Sequence, residues 1–241
     1  MSDVFSRRSL QFLKNVKLQN NREWYAQNKP VYEKWLLLPF KRLVEELSLT
    51  IVDIDSHIET MPMVDKTISR IYRDVRFSHD KTLYRDNMWL VFKRKLKSKY
   101  QYPAFFFELY PDSYRYGLGF YNAHPKFMEL FRKAIDEDEK GFLKMVLAVK
   151  KSGFVAEGDF YKKKRCQNAQ LVDWYDRKNI FMVHNSDAVD EIFDFDFLVK
   201  RLRKGFNSLS GLYGFFIKLM ELLPDEREQN KFIRYKDLDI Y

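Results

Sequence analysis

The segment that most restricts the fold is a pair of apolar, aromatic-rich runs, residues 104–110 and 114–121, separated only by Pro111-Asp112-Ser113. Two strand-like runs joined by so short a turn must pair antiparallel, because a parallel return needs a crossover of a dozen residues or more. Patterns of helical spacing lie on both sides of this hairpin. Upstream, Phe5, Leu10, Leu13, Val16 and Leu18 repeat at helical intervals. Asn20-Asn21 then caps a new turn, and Pro30 restarts the chain into a long helix over residues 31–52, with Leu43, Leu47 and Ile51 inward and a kink or a junction at Pro39. Downstream, Asn122 to Pro125 opens a helix to about Asp136, a second runs from Glu139 to a stop at Gly153, and residues 194–223 form a long amphipathic helix closed by Pro224. Further strands are expected at 67–78, 88–92, within 154–164 and at 179–184. Helices first, strands in the middle and helices again predict an α+β fold, with a mainly antiparallel central sheet packed by N-terminal and C-terminal helices. Without repeats, low-complexity stretches or a linker, residues 1–241 read as one domain.

Composition removes several classes. With 22 Phe and 15 Tyr in 241 residues there is ample core material, which excludes global disorder. Cys166 is the only cysteine, so an internal disulfide and four-cysteine zinc sites are impossible, and a lone thiol fits a reducing compartment. The longest apolar runs are too short to span a bilayer, and the N-terminus lacks a signal-peptide core. The expectation is a cytoplasmic protein with no membrane partner. The net charge of +9 is uneven, with basic tracts at 93–99, 162–165 and 200–204 and acidic tracts at 136–139, 190–196 and 225–228. Such tracts are either solvated faces or a surface that attracts phosphate-bearing partners.

One segment carries the chemistry: Arg70-Ile71-Tyr72-Arg73-Asp74-Val75-Arg76-Phe77-Ser78-His79-Asp80-Lys81-Thr82-Leu83-Tyr84-Arg85. Read as a strand, it places Arg70, Tyr72, Asp74 and Arg76 on one face, and Ile71, Val75 and Phe77 with Arg73 on the other. Guanidinium groups present planar donor forks to carboxylate or phosphate, and they are costly to bury without such a partner. Three readings stand: an ion-pair lattice on a solvent face, an anion-binding surface, or a metal site on Asp74 and Asp80. For the anion site, Arg70, Arg73, Arg76, Lys81 and Arg85 supply charge, Asp74 and Asp80 orient them, and Tyr72 and Tyr84 line the rim. The ligand is then a phosphate-bearing small molecule; nucleic acid binding or a protein-interaction surface without catalysis is the alternative. No metal and no particular cofactor is implied.

Other signals are weaker. Gly117 and Gly119 share a strand face and leave a floor for a ligand or for a packed helix. His79, beside Asp80 and Lys81, is the one histidine to test for acid–base work, against the plainer reading of an exposed turn histidine, whereas His124 before a proline reads as a helix cap. Cys166 next to Lys164 and Arg165 is a candidate for a lowered thiol pKa, against the plainer reading of an idle cysteine. Walker, Gly-x-Ser-x-Gly and His-Glu-x-x-His motifs are missing.

The runs Phe12-Leu13-Lys14, Asn20-Asn21-Arg22-Glu23-Trp24-Tyr25, Asn28-Lys29-Pro30-Val31-Tyr32, Arg70 through Thr82 and Gly117-Leu118-Gly119-Phe120-Tyr121 together resemble a family of bacterial and fungal proteins known as domain of unknown function 2461. The chain departs from the family pattern at Leu83, where a proline is usual, and at Arg85, where a lysine is. The resemblance implies one full-length domain and singles out the arginine segment, and it brings no activity, substrate or cofactor.

Overall fold

A computed structural model describes residues 3–76, 79–95, 101–120, 122–160 and 168–223. Cys166, Phe77, Tyr121, most of the basic tract at 93–99, and the tracts at 162–165 and 225–228 lie outside them.

The N-terminal helices pack through their predicted apolar stripes. Helix α1 (Arg7–Gln19) buries Leu10, Phe12, Leu13 and Val16. Helix α2 (Arg22–Tyr32) is capped by Asn21, whose side chain accepts from the Trp24 N–H at 2.9 Å. The chain does not restart at Pro30. It runs through that proline into a π-helical turn (Glu33–Leu37) and on into α3 (Leu38–Ile54). Pro39 has no N–H to give to the carbonyl four residues earlier, that of Trp35. The buried hydroxyl of Ser9 donates to the Trp35 carbonyl instead, so α1 satisfies the acceptor that the proline leaves open. The junction expected at Pro39 is thus a widened turn with an outside donor.

The sheet is five-stranded and antiparallel, in the order β1-β2-β3-β5-β4: β1 (Met88–Phe92), β2 (Ala104–Leu109), β3 (Tyr114–Gly119), β4 (Val155–Glu157) and β5 (Phe181–Ser186). The hairpin is as predicted: β2 and β3 pair from Ala104↔Gly119 to Leu109↔Tyr114. Helices α4 (Pro125–Glu137), α5 (Glu139–Lys151) and α6 (Val172–Tyr175) come between β3 and β5 in sequence, yet those strands lie side by side. His124 caps α4 by accepting from the Lys126 N–H, and α5 ends before Gly153, whose φ of +87° suits glycine.

Helix α7 (Phe195–Glu221) lies on the buried sheet face, where Phe206 meets Phe105 at 5.2 Å and Phe92 at 6.3 Å. Gly205 permits this approach, since a β-carbon there would stand 2.5 Å from Tyr116. The glycines of β3 serve a different contact from either one expected. A β-carbon on Gly117 would meet the Met182 carbonyl at 1.8 Å, and one on Gly119 the Ile180 carbonyl at 2.5 Å. The backbone of β5 and the residue before it occupies that floor, rather than a ligand or a helix.

A buried carboxylate ties three elements together. Asp55, just past α3, accepts from Arg94 Nε and from the Tyr213 hydroxyl of α7, each at 2.5 Å, and from the His57 N–H at 2.9 Å. Burial pushes its pKa up, but the bonds from Arg94, Tyr213 and His57 outweigh that and hold it at about 2. No helix among the described residues is long and apolar enough to cross a membrane.

Candidate functional site

The arginine segment is not a strand. Its exposure does alternate as a strand's would: Arg70, Tyr72, Asp74 and Arg76 are exposed, Ile71 is buried, and Arg73 and Val75 are half-buried. The hydrogen bonds, however, do not keep one register. Ile68 bridges Leu90 of β1, with Ser69 N–H donating to the Trp89 carbonyl and Val91 N–H to the Thr67 carbonyl. Four residues later Tyr72 bridges Tyr84 instead, with Arg73 N–H donating to Leu83 and Arg85 N–H to Ile71. Both stretches run antiparallel to residues 83–91, but the register slips by two residues between the two bridges, which interrupts the ladder. The Ser69 hydroxyl, in place of a backbone carbonyl, accepts from the Trp89 N–H. Beyond Tyr72 two aspartates bend the chain through their own side chains: Asp74 accepts from the Arg76 N–H and Asp80 from the Thr82 N–H.

Asn20 fixes the base of this loop. Its side-chain oxygen accepts from Leu83 N–H at 2.6 Å and Tyr84 N–H at 3.1 Å, and its amide donates to the carbonyls of Tyr84 at 3.0 Å and Val16 at 3.1 Å. Tyr84 is buried and stacks on Tyr25 of α2 at 4.6 Å, so it anchors the segment and does not line a rim. Burial, followed by the neighbouring hydroxyls of Tyr72 and Tyr32, pushes the Tyr25 phenol pKa well up. Tyr72, 51% exposed, packs on both rings and does stand at an edge.

Each of three arginines meets a carboxylate close by in sequence. Arg76 makes a two-pronged pair with Asp74, Nε to Oδ1 at 2.9 Å and Nη2 to Oδ2 at 2.7 Å. Arg73 pairs with Asp80 at 2.7 Å, and Arg70 Nε pairs with Asp65. Asp65 has a φ of +69°, a left-handed conformation that aspartate tolerates better than most residues. The Arg76 side chain, then its N–H, holds the Asp74 carboxyl at about 2, and Asp80 is lowered by Thr82 and then by Arg73. Lys81 donates to the Val75 carbonyl at 2.9 Å.

A groove of about 640 Å³ lies alongside these pairs. Arg70, Tyr72, Arg73, Asp74, Arg76 and Arg85 line it, whereas Asp80, Lys81 and Tyr84 do not. Its other walls were not anticipated: Asp65 and Lys66 from the preceding turn, and Trp89, Val91 and Lys93 from β1 and its end. The last three were available in the sequence, since residues 89, 91 and 93 follow the two-residue strand period and project to one side. Arg85 lies over the Trp89 indole at 4.7 Å from its centre. The lining holds six cations (Lys66, Arg70, Arg73, Arg76, Arg85, Lys93) against two carboxylates (Asp65, Asp74). His79 is exposed in a bend outside this lining. Among the described residues no three His, Cys, Asp or Glu side chains gather as metal ligands would; Asp74 and Asp80 instead engage Arg76 and Arg73.

A family model described as "conserved hypothetical protein (DUF2461)" matches residues 8–215, which takes in the hairpin, the groove and nearly all of α7. A search of curated proteins gives no match.

Proposed function

Since the chain belongs to the DUF2461 family, whose description names no reaction, we propose its function from the groove: it binds, or acts on, a phosphate-bearing anion held by the arginine segment. The observation that carries this reading is the surplus of six cations over two carboxylates around one hollow. The ion pairs do not cancel it. Arg70–Asp65 and Arg76–Asp74 are solvent-exposed pairs, a kind that contributes little to stability and yields readily to a stronger partner. They hold the guanidinium groups extended and oriented, so an arriving phosphate meets donors already in place. Arg85 and Lys93 add charge to the same groove.

Titration calorimetry with tripolyphosphate, on the natural chain and on Arg70→Ala/Arg76→Ala, tests the proposal. The double variant should melt close to the parent and bind roughly tenfold more weakly or worse, as expected for losing charge-assisted hydrogen bonds. A parent that binds no phosphate compound at low salt, together with a variant that unfolds far earlier, would mean the arginines form a structural lattice only.

A further inference from the structure

The groove has two unlike walls. The arginines stand along the irregular segment, while the floor toward β1 carries Trp89 and Val91 beside Ile68. A bare phosphate needs neither a partly exposed indole nor a hollow of about 640 Å³, which falls within the span usual for whole small-molecule ligands. Trp89 is placed from two sides: its backbone N–H donates to the Ser69 hydroxyl at 3.0 Å, and the Arg85 guanidinium lies over its ring at 4.7 Å. An aromatic ring standing beside a cluster of guanidinium groups suits a ligand that is itself half planar ring and half phosphate.

We propose that the ligand is a mononucleotide, with its phosphates on Arg70, Arg73 and Arg76 and its base on the Trp89–Val91 floor next to Tyr72. The inference rests on the anion-binding reading above and adds the ring. A hollow of about 640 Å³ matches one small-molecule ligand in size, which favours a single nucleotide over a polymer.

The test compares ATP with tripolyphosphate, which share a phosphate chain and differ by the nucleoside. Both are titrated into the natural chain and into Trp89→Leu, and a single-stranded oligonucleotide is titrated in parallel. ATP should bind the natural chain roughly tenfold or more tighter than tripolyphosphate, the usual scale of base stacking on an aromatic side chain. Trp89→Leu should erase that advantage while tripolyphosphate binding stays within about twofold of the parent, which also reports that the groove is intact. Equal affinity of the natural chain for ATP and tripolyphosphate would overturn the nucleotide inference and leave the anion site standing. An advantage for ATP that survives Trp89→Leu, with tripolyphosphate binding intact, would remove the base from the Trp89 floor. Binding of neither compound would overturn both readings. Tight, salt-sensitive binding of the oligonucleotide with none of ATP would replace the mononucleotide by a polymer.

Discussion

Replacing Asn20 by Ala removes the side chain that holds the arginine segment to α1. Three of its hydrogen bonds reach the backbone of residues 83 and 84, and the fourth closes on Val16 at the end of its own helix. A typical hydrogen bond contributes about 0.5–1.5 kcal/mol net, so the three long-range bonds set an expected loss of about 2–4 kcal/mol. Asn20 is half-buried, so water can reach part of the vacated space, and the lower half of that range is the better expectation. Urea unfolding followed by circular dichroism measures the total. Amide exchange at Leu83 and Tyr84 shows where it arises, since both N–H groups lose their acceptor. Asn20→Asp separates the two halves of the clamp: the carboxylate still accepts from both N–H groups but faces the Tyr84 carbonyl without a donor, so it too should destabilise. Loss of anion affinity should accompany Asn20→Ala, because the Tyr72↔Tyr84 bridge and the arginines beside it depend on that base. A stability change below about 0.5 kcal/mol, less than the low end for one typical bond, with unchanged exchange at Leu83 and Tyr84, would refute the reasoning.

The glycines of α7 should divide by surroundings. Gly214 meets nothing within 4 Å of an added β-carbon, so Gly214→Ala should gain about 0.5–1 kcal/mol from helix propensity, read as a higher melting midpoint. Gly205→Ala drives a methyl to 2.5 Å from Tyr116 and should lower it, and equal shifts at the two positions would contradict that packing. Acid sensitivity should trace in part to Asp55. Its folded pKa of about 2 lies below the ordinary 3.8, so its contribution is present above pH 4 and is lost as the pH falls toward 2. For a carboxylate only 6% exposed this amounts to about 2 kcal/mol, and Asp55→Asn should flatten the stability profile across that window in urea titrations.

What the sequence disclosed, and what it hid, follows from how local each signal is. The hairpin at Pro111-Asp112-Ser113, the caps at Asn21 and His124 and the stop at Gly153 depend on neighbours a few residues away, and the structure has all of them. The arginine segment shows the limit of such reasoning. Alternation along 70–76 correctly gives which side chains face water, because it reports burial. It says nothing of the pairing register, which here slips by two residues between Ile68↔Leu90 and Tyr72↔Tyr84. Tyr84 was placed at the rim for its neighbours in sequence, while its position is set by Tyr25, 59 residues earlier. Trp89 and Lys93 went unnoticed for the opposite reason. Their strand was recognised, but its outward face acquires meaning only once residues 65–76 fold across it.

The same contacts separate what holds the segment from what it presents. Ile71, Tyr84 and the Asn20 clamp attach it to the body of the protein, and none of them carries charge. Arg73 and Arg76 sit between those anchors and Arg70 just before them, and their carboxylate partners come from positions only two to seven residues away: Asp74 for Arg76, Asp65 for Arg70, Asp80 for Arg73. Pairs so local orient an arginine without tying its loop to a distant element, so they add little to the fold. A protein that needed these arginines for stability would couple them across elements, as Arg94 and Arg203 are coupled to Asp55 and Glu46. Substitutions at the anchors should therefore register in unfolding and those at Arg70 or Arg76 in binding. A variant of Arg76 that cost as much stability as one of Asn20 would show that the two sets are not separate.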